Sequence, residues 1–126
     1  MDEDAPRLFT GRLELCAANA SGWGAWQVVE VSRQVAVGEV ELSPPDAEGR
    51  VACRIALEPK WQRKGYATEA MGGLIDWAFS HPEVRRIVAD AHRDGAASIR
   101  VLEESGLSHV GDGDGPDMLR FELARP

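Results

Sequence analysis

The stretch from Val51 to Phe79 constrains this chain more than any other. Val51, Cys53, Ile55 and Leu57 alternate with Ala52, Arg54, Ala56 and Glu58, the period of a half-buried strand. Glu58-Pro59 breaks the pattern. The run Gln62-Arg63-Lys64-Gly65-Tyr66-Ala67 follows, and behind it the apolar spacing becomes helical. Ala67, Met71, Leu74 and Ala78 share one face, flanked by Ala70, Ile75 and Phe79. Strand, breaker, basic glycine turn and helix in this order form a ready anion site. Backbone N–H groups at the start of a helix point one way and have no partner inside it. Gly65 lets the backbone approach a ligand closely. Arg63 and Lys64 add positive charge. A phosphate-bearing ligand fits. The turn is neither a dinucleotide-binding Gly-x-Gly-x-x-Gly nor a P-loop, and as a bare pattern Gln-x-x-Gly-x-Ala is too short to name the ligand.

The rest of the chain supplies strands before this unit and alternating elements after it. Leu8 to Cys16 reads as a strand through Leu13 and Leu15, and Ala17 to Gly24 as a loop of small residues. Trp26 to Val31 and Val35 to Leu42 are rich in β-formers, joined by Ser32-Arg33-Gln34 as a hairpin connection. Within the second, the apolar phase shifts from Val35/Val37 to Val40/Leu42 around Gly38, as a bulge would cause. After the first helix, His81-Pro82 is a stop. Arg85 to Ala91 reads as a strand and Ala96 to Ser105 as a helix capped by Gly106. Leu107 to Val110 and Met118 to Ala124 form a closing antiparallel pair. The Gly111 to Asp117 loop between them lacks the glycine and closing glutamate of an EF-hand, so it reads as a hairpin turn and not a calcium site.

A chain of 126 residues fits one domain spanning 1–126. The net charge of -7 disfavours general nucleic-acid binding and is compatible both with a cationic acceptor and with plain solubility. No apolar run is long enough to span a bilayer, and Met1-Asp2-Glu3-Asp4 is no secretory signal, so the expected location is the cytoplasm. Cys16 and Cys53 belong to no ligand cluster or Cys-x-x-Cys pair and read as small hydrophobes, with no metal site.

The run Gln62 to Ala67 resembles the Gln/Arg-x-x-Gly-x-Gly/Ala signature of the GNAT acyltransferases (GCN5-related N-acetyltransferases). The longer run Trp61 to Ala70 is similar to the branch that acetylates the N-termini of ribosomal proteins. A second match, Ser98-Ile99-Arg100-Val101-Leu102-Glu103-Glu104-Ser105-Gly106-Leu107, and a third, Leu8 to Leu15, are similar to the same branch. The resemblance implies an α/β (α+β) fold: a mixed, mostly antiparallel sheet of about seven strands with two main helices. It also implies an acetyl-CoA-dependent N-acetyltransferase acting on a small amine or a protein or peptide N-terminus. The acetyl group passes by direct attack in a ternary complex. The alternative is an acyl-CoA-binding module without turnover.

Residue by residue, the resemblance places the pyrophosphate on Gln62, Arg63, Lys64, Gly65, Tyr66 and Ala67. It places the pantetheine arm along the backbone of Ile55, Ala56 and Leu57, and gives Ser98 a cofactor contact or the role of acid. Glu58 is the expected base, with His92 and Asp90 as the other candidates. Each also has a structural or solvated reading. Glu69 reads as favourable charge in the first helical turn. Three departures stand out. Gly95 replaces the usual Asn, Leu102 stands where many members have Tyr, and the residues from Ala17 to Ala25 are too few for the two helices that the family places between its first two strands. Missing cover implies an exposed apolar face, and hence a homodimer with Trp23 and Trp26 in or near the contact.

Overall fold

The computed structural model describes residues 4–126. The frayed start expected for Met1 to Arg7 therefore lies partly outside the described residues. One eight-stranded sheet runs through the molecule: β1 (Arg7–Phe9), β2 (Leu13–Ala17), β3 (Gly24–Glu30), β4 (Val35–Leu42), β5 (Arg50–Leu57), β6 (Arg86–His92), β7 (Ser108–Asp112) and β8 (Met118–Ala124). Two α-helices interrupt the later strands, α1 (Tyr66–Phe79) and α2 (Ala96–Glu104), and a short 3-10 turn, Pro59–Trp61, leads into the Gln62–Gly65 turn. Strand order is β1-β2-β3-β4-β5-β6-β8-β7, antiparallel throughout except for β5 beside β6. The sheet has eight strands where about seven were expected. The single strand read from Leu8 to Cys16 is a hairpin, turned at Thr10-Gly11-Arg12, with the Thr10 N–H bonded to the Leu13 carbonyl at 2.9 Å.

The apolar alternation seen in the sequence points to one face. Leu13, Leu15, Trp26, Val28, Val37, Val40, Val51 and Cys53 are buried there against Ala70, Met71, Leu74 and Ala78 of α1. Close approach explains one of the two mid-helix glycines: a Cβ on Gly73 would lie 3.0 Å from Leu15, whereas one on Gly72 would meet nothing. The opposite face carries polar residues such as Gln27, Glu39, Glu41 and Arg54.

The homodimer expectation loses its premise here. β2 and β3 are joined by residues 18–23 without a helix, yet the apolar face is covered by α1. Trp26 is 0% exposed and donates its Nε1–H to the Gly22 carbonyl at 2.7 Å. Trp23 is half-buried and packs on Trp77 and His81. The large apolar side chains that remain exposed, Phe9, Val31 and Val110, lie on separate elements.

The expected bulge lies beside Gly38. Val28 faces Gly38 and Val29 faces Ala36, so Val37 is the extra residue. Gly38 itself lies so close to β5 that a Cβ would sit 2.4 Å from the Ala56 carbonyl oxygen. A bulge bends its strand and increases local twist. Here it does so beside the far end of β5, the part that parts company with β6. No helix among the described residues is long and apolar enough to cross a membrane.

Candidate active site

β5 and β6 pair in parallel only at Arg50–Arg86, Val51–Ile87 and Ala52–Val88. Beyond Ala52 they diverge, and a cleft of about 1020 Å³ opens between them. Its wall includes Cys53, Ile55 and Leu57 from β5, Ala89 and Asp90 from β6, and the first turns of both helices. It also includes Arg54 and Ala56, whose side chains belong to the open face. The cleft therefore passes through the sheet.

Backbone groups along this edge are free for a ligand. In an antiparallel ladder, successive residues direct their N–H and C=O groups to opposite sides. The Glu58 N–H bonds to the Val37 carbonyl and the Ala52 carbonyl accepts from Ser43 N–H, so even-numbered residues of β5 face β4. Cys53, Ile55 and Leu57 face the cleft. The Leu57 carbonyl accepts from the Gln62 side-chain amide at 3.1 Å. Of the three strand residues expected to meet pantetheine, Ile55 offers its backbone N–H and C=O and Leu57 its N–H. Ala56 offers only its side chain, since its own backbone groups face Glu39.

The turn before α1 has the shape its glycine implies. Gly65 is the N-cap residue with φ 82° and ψ 0°, and Arg63 is also left-handed at φ 64°. Consecutive turns of this kind form concave sets of N–H groups that suit anions. No side chain caps α1. Gln62, Arg63, Gly65, Ala67 and Thr68 line the cleft, while Lys64 and Tyr66 do not. Tyr66 is buried beneath the Arg12 guanidinium, 4.4 Å from its ring centroid, and Lys64 gives its carbonyl to Arg12 Nη1 at 2.8 Å.

The first turn of α2 opens on the same cleft through Ala96, Ala97, Ser98 and Arg100. Gly95, not Ser98, is the N-cap residue, so the capping alternative for Ser98 does not apply. Ser98 is exposed, with its side chain turned to the cleft. Leu102 is buried in the wall.

The three candidate bases differ in what already holds them. Burial pushes the Asp90 carboxyl up, but the Arg120 guanidinium and the Asp114 N–H outweigh it and hold the group below the usual carboxylate range. Arg120 binds both oxygens, at 2.9 and 3.1 Å, and Asp114 N–H binds Oδ2 at 2.8 Å. Asp90 thus fastens the loop between β7 and β8. His92 Nδ1 accepts the Asp94 N–H at 3.1 Å and lies 3.9 Å from the Asp94 carboxylate, so its ring is tied to the turn after β6. His92 does not line the cleft. Glu58 is exposed at the end of β5, outside the cleft wall, and strand alternation carries it to the open face. Its carboxylate has no hydrogen-bond partner among the described residues.

Glu69 is more than a favourable charge. It accepts from the Thr10 hydroxyl, from the Arg12 N–H at 2.8 Å and from Arg12 Nε at 2.8 Å. Burial raises its pKa, but these bonds prevail and leave it lowered. The Thr10–Arg12 turn is in this way tied to the start of α1. Cys53, in the cleft wall, lies 3.4 Å from the Met71 sulfur, and burial pushes its thiol up to about 12. No cluster of His, Cys, Asp or Glu among the described residues is arranged to hold a metal ion.

Residues 2–108 match the family model described as an acetyltransferase (GNAT) domain. The chain belongs to the GNAT acetyltransferase family. It is 35% identical over 87 residues to the uncharacterized N-acetyltransferase YjdG of Bacillus subtilis (strain 168), covering 68% of this chain and 52% of that protein. The chain thus spans about half the length of this curated relative. Among solved structures, a GNAT-family acetyltransferase from Bacillus anthracis superposes with a TM-score of 0.82 at 16% identity, over 94% of this chain and 98% of that one. The aminoglycoside acetyltransferase AAC(6')-Ib, solved with coenzyme A and kanamycin, superposes with a TM-score of 0.71 at 18% identity, over 80% and 66%. At these identities the two structures establish the fold: a mixed, mostly antiparallel sheet with two helices.

Proposed function

We propose that this GNAT chain transfers an acetyl group from acetyl-CoA to a primary amine. The observation that carries the reading is the cleft through the sheet, which receives the first turns of α1 and α2 at one end and an unpaired strand edge along its length. The N–H groups of the Gln62–Ala67 turn suit the pyrophosphate. The cleft-facing groups of Ile55 and Leu57 suit the amides of pantetheine, which would add to β5 as a strand. AAC(6')-Ib was also solved with acetyl-CoA, which supports this donor for a chain of the same family.

Donor and acceptor approach from opposite faces. The thioester carbonyl lies in the cleft, the amine nitrogen attacks it from the open face, and the carbon–sulfur bond breaks. Glu58, on that face, takes the ammonium proton directly or through water. Ser98, in the cleft wall, donates to the departing thiolate, because Leu102 has no proton to give. Direct attack is favoured over a covalent intermediate: Cys53 is held as a neutral thiol, and a thiol is a far weaker nucleophile than its thiolate.

The acceptor is a primary amine of a small molecule or of a protein or peptide N-terminus. The matches Trp61 to Ala70 and Ser98 to Leu107 favour the ribosomal-protein branch, and the aminoglycoside relative illustrates the small amine. An acyl-CoA-binding module without turnover is the second reading, favoured by Leu102 and by the commitment of Asp90 to Arg120. Calorimetric titration with acetyl-CoA, followed by a thiol-release screen over amines and peptide N-termini, tests both. Binding with release supports the enzyme, binding without release the module, and no binding at micromolar concentration excludes both.

A further inference from the structure

Resting on the reading of the Gln62–Ala67 turn as the donor's phosphate site, we propose that Arg12 is a positioning residue for the acyl donor, acting through the shape of that turn. The turn adopts a conformation its residues do not favour. Arg63 at φ 64° is a bulky side chain in the left-handed region, which residues with a Cβ rarely adopt. Local bonds hold its beginning, through Gln62 N–H to the Pro59 carbonyl at 3.2 Å and the Gln62 side chain to Leu57, and the first helical bond holds the Gly65 carbonyl, through Glu69 N–H at 3.0 Å. The Lys64 carbonyl between them is held from the other end of the sequence.

Arg12 makes three contacts there. Nη1 donates to the Lys64 carbonyl, Nε donates to Glu69, and the guanidinium lies over the Tyr66 ring. The first contact has a geometric consequence. In a trans peptide the C=O and the next N–H point in opposite directions. By holding the Lys64 carbonyl toward β2, Arg12 turns the Gly65 N–H away from itself, toward the side on which Gly65 meets the cleft. The second contact has an electrostatic one. Glu69 is a carboxylate within one helical turn of the anion site, and without Arg12 its charge would oppose a phosphate. Thr10 and the Arg12 N–H fix the carboxylate in place, so the brace does not depend on a mobile surface ion pair.

Binding and turnover with two donors test this: acetyl-CoA, which carries the phosphates, and S-acetylpantetheine, which does not. Losing a charge-assisted bond that orders the turn should weaken CoA about tenfold in Arg12→Ala. The Michaelis constant for acetyl-CoA should rise in step, kcat should hold within about twofold, and kcat/KM for S-acetylpantetheine should not change. Arg12→Lys keeps the stem over Tyr66 and folds even if the alanine variant does not. A single ammonium cannot reach both Lys64 and Glu69 in the fork geometry, so it too should weaken CoA. Adding Glu69→Gln to Arg12→Ala should recover part of the loss. Unchanged CoA affinity in both Arg12 variants overturns the brace and leaves the donor site standing. Equal losses with both donors mean general damage and overturn it as well. A wild-type protein that does not bind CoA overturns the donor site itself, and the brace with it.

Discussion

The two faces of the sheet are built differently. On the helix face, the start of α1 is fixed several times over: by a left-handed glycine, by the Gln62 side chain on Leu57, and by Arg12 and Thr10 reaching Glu69 from β2's turn. On the open face, polar groups mostly satisfy one another. Arg120 holds Asp90, Arg86 holds Glu122 and Arg50 holds Asp46, whereas Glu58, like Glu39 and Glu41, has no such partner among the described residues; of these three, Glu58 alone stands at the end of β5. Overdetermined backbone geometry suits recognition of a ligand, because the shape exists before the ligand arrives. A lone carboxylate suits proton transfer, because nothing competes for its lone pairs. Changes on the helix face should therefore read out as binding, and changes on the open face as rate.

The largest expected effect is at Gly65. A side chain there must adopt φ 82°, and its Cβ would sit 3.1 Å from Arg12 Nη2. Gly65→Glu also adds a negative charge beside the phosphate site. CoA affinity should fall by 10²-fold or more, on the order of the repulsion between like charges in a site of intermediate dielectric. Circular dichroism should show the fold retained. Undiminished affinity would remove the site from this turn and with it the contrast between the faces.

Glu58→Gln should lower kcat by about 10²-fold, abolish the acidic limb of the kcat profile and leave CoA affinity unchanged. If affinity falls instead, the open face is not reserved for chemistry. The smallest effect in activity is expected at Asp90. Asp90→Asn should change kcat by less than about twofold, because the carboxylate is a tether and not a base. Its effect belongs to stability in acid. The folded carboxyl titrates below its unfolded value, so its contribution is present above the unfolded pKa of about 3.9 and is lost as pH falls through the folded one. Thermal midpoints measured from pH 6 down to pH 3 should drop less steeply in Asp90→Asn than in the wild type. Identical slopes would mean that Arg120 and the β7–β8 loop do not depend on it.

What the sequence revealed follows the range of the interactions involved. The start of α1 was legible because strand alternation, breaker, glycine and helical spacing all lie within one stretch, and each is a local preference. The shift in apolar phase around Gly38 marked the bulge for the same reason. The hairpin at Thr10-Gly11-Arg12 was not legible: Gly11 and the Leu13 N–H bond to the Thr10 hydroxyl are a brief local signal between two apolar runs, and Glu69, which holds Thr10 and Arg12, comes 57 or more residues later. Arg12 falls inside the stretch read as one strand, Leu8 to Cys16, and no local pattern marks it. Trp26 looked available for an interface because composition cannot say which face of a strand is covered. Its alternation with Val28 placed the two on one side, but only packing against α1 made that side interior. The candidate bases were legible as residue types and not as chemistry, since the Asp94 N–H reaches His92 through the turn after β6, and the guanidinium reaches Asp90 through the pairing of β6 with β8.

The β5–β6 ladder stops after three rungs, and solvent reaches what the missing rungs would have covered. The amides of Ile55 and Leu57 belong to a strand yet have no strand beside them on the cleft side. In deuterated water they should exchange on the timescale of a loop, while Ala56, bonded toward β4, exchanges on that of the core. A bound pantetheine arm would supply the missing partner. The slow and fast amides of one strand would then merge into a single protected set, and isotope uptake at alternate residues of β5 would follow occupancy of the cleft without any measurement of the reaction.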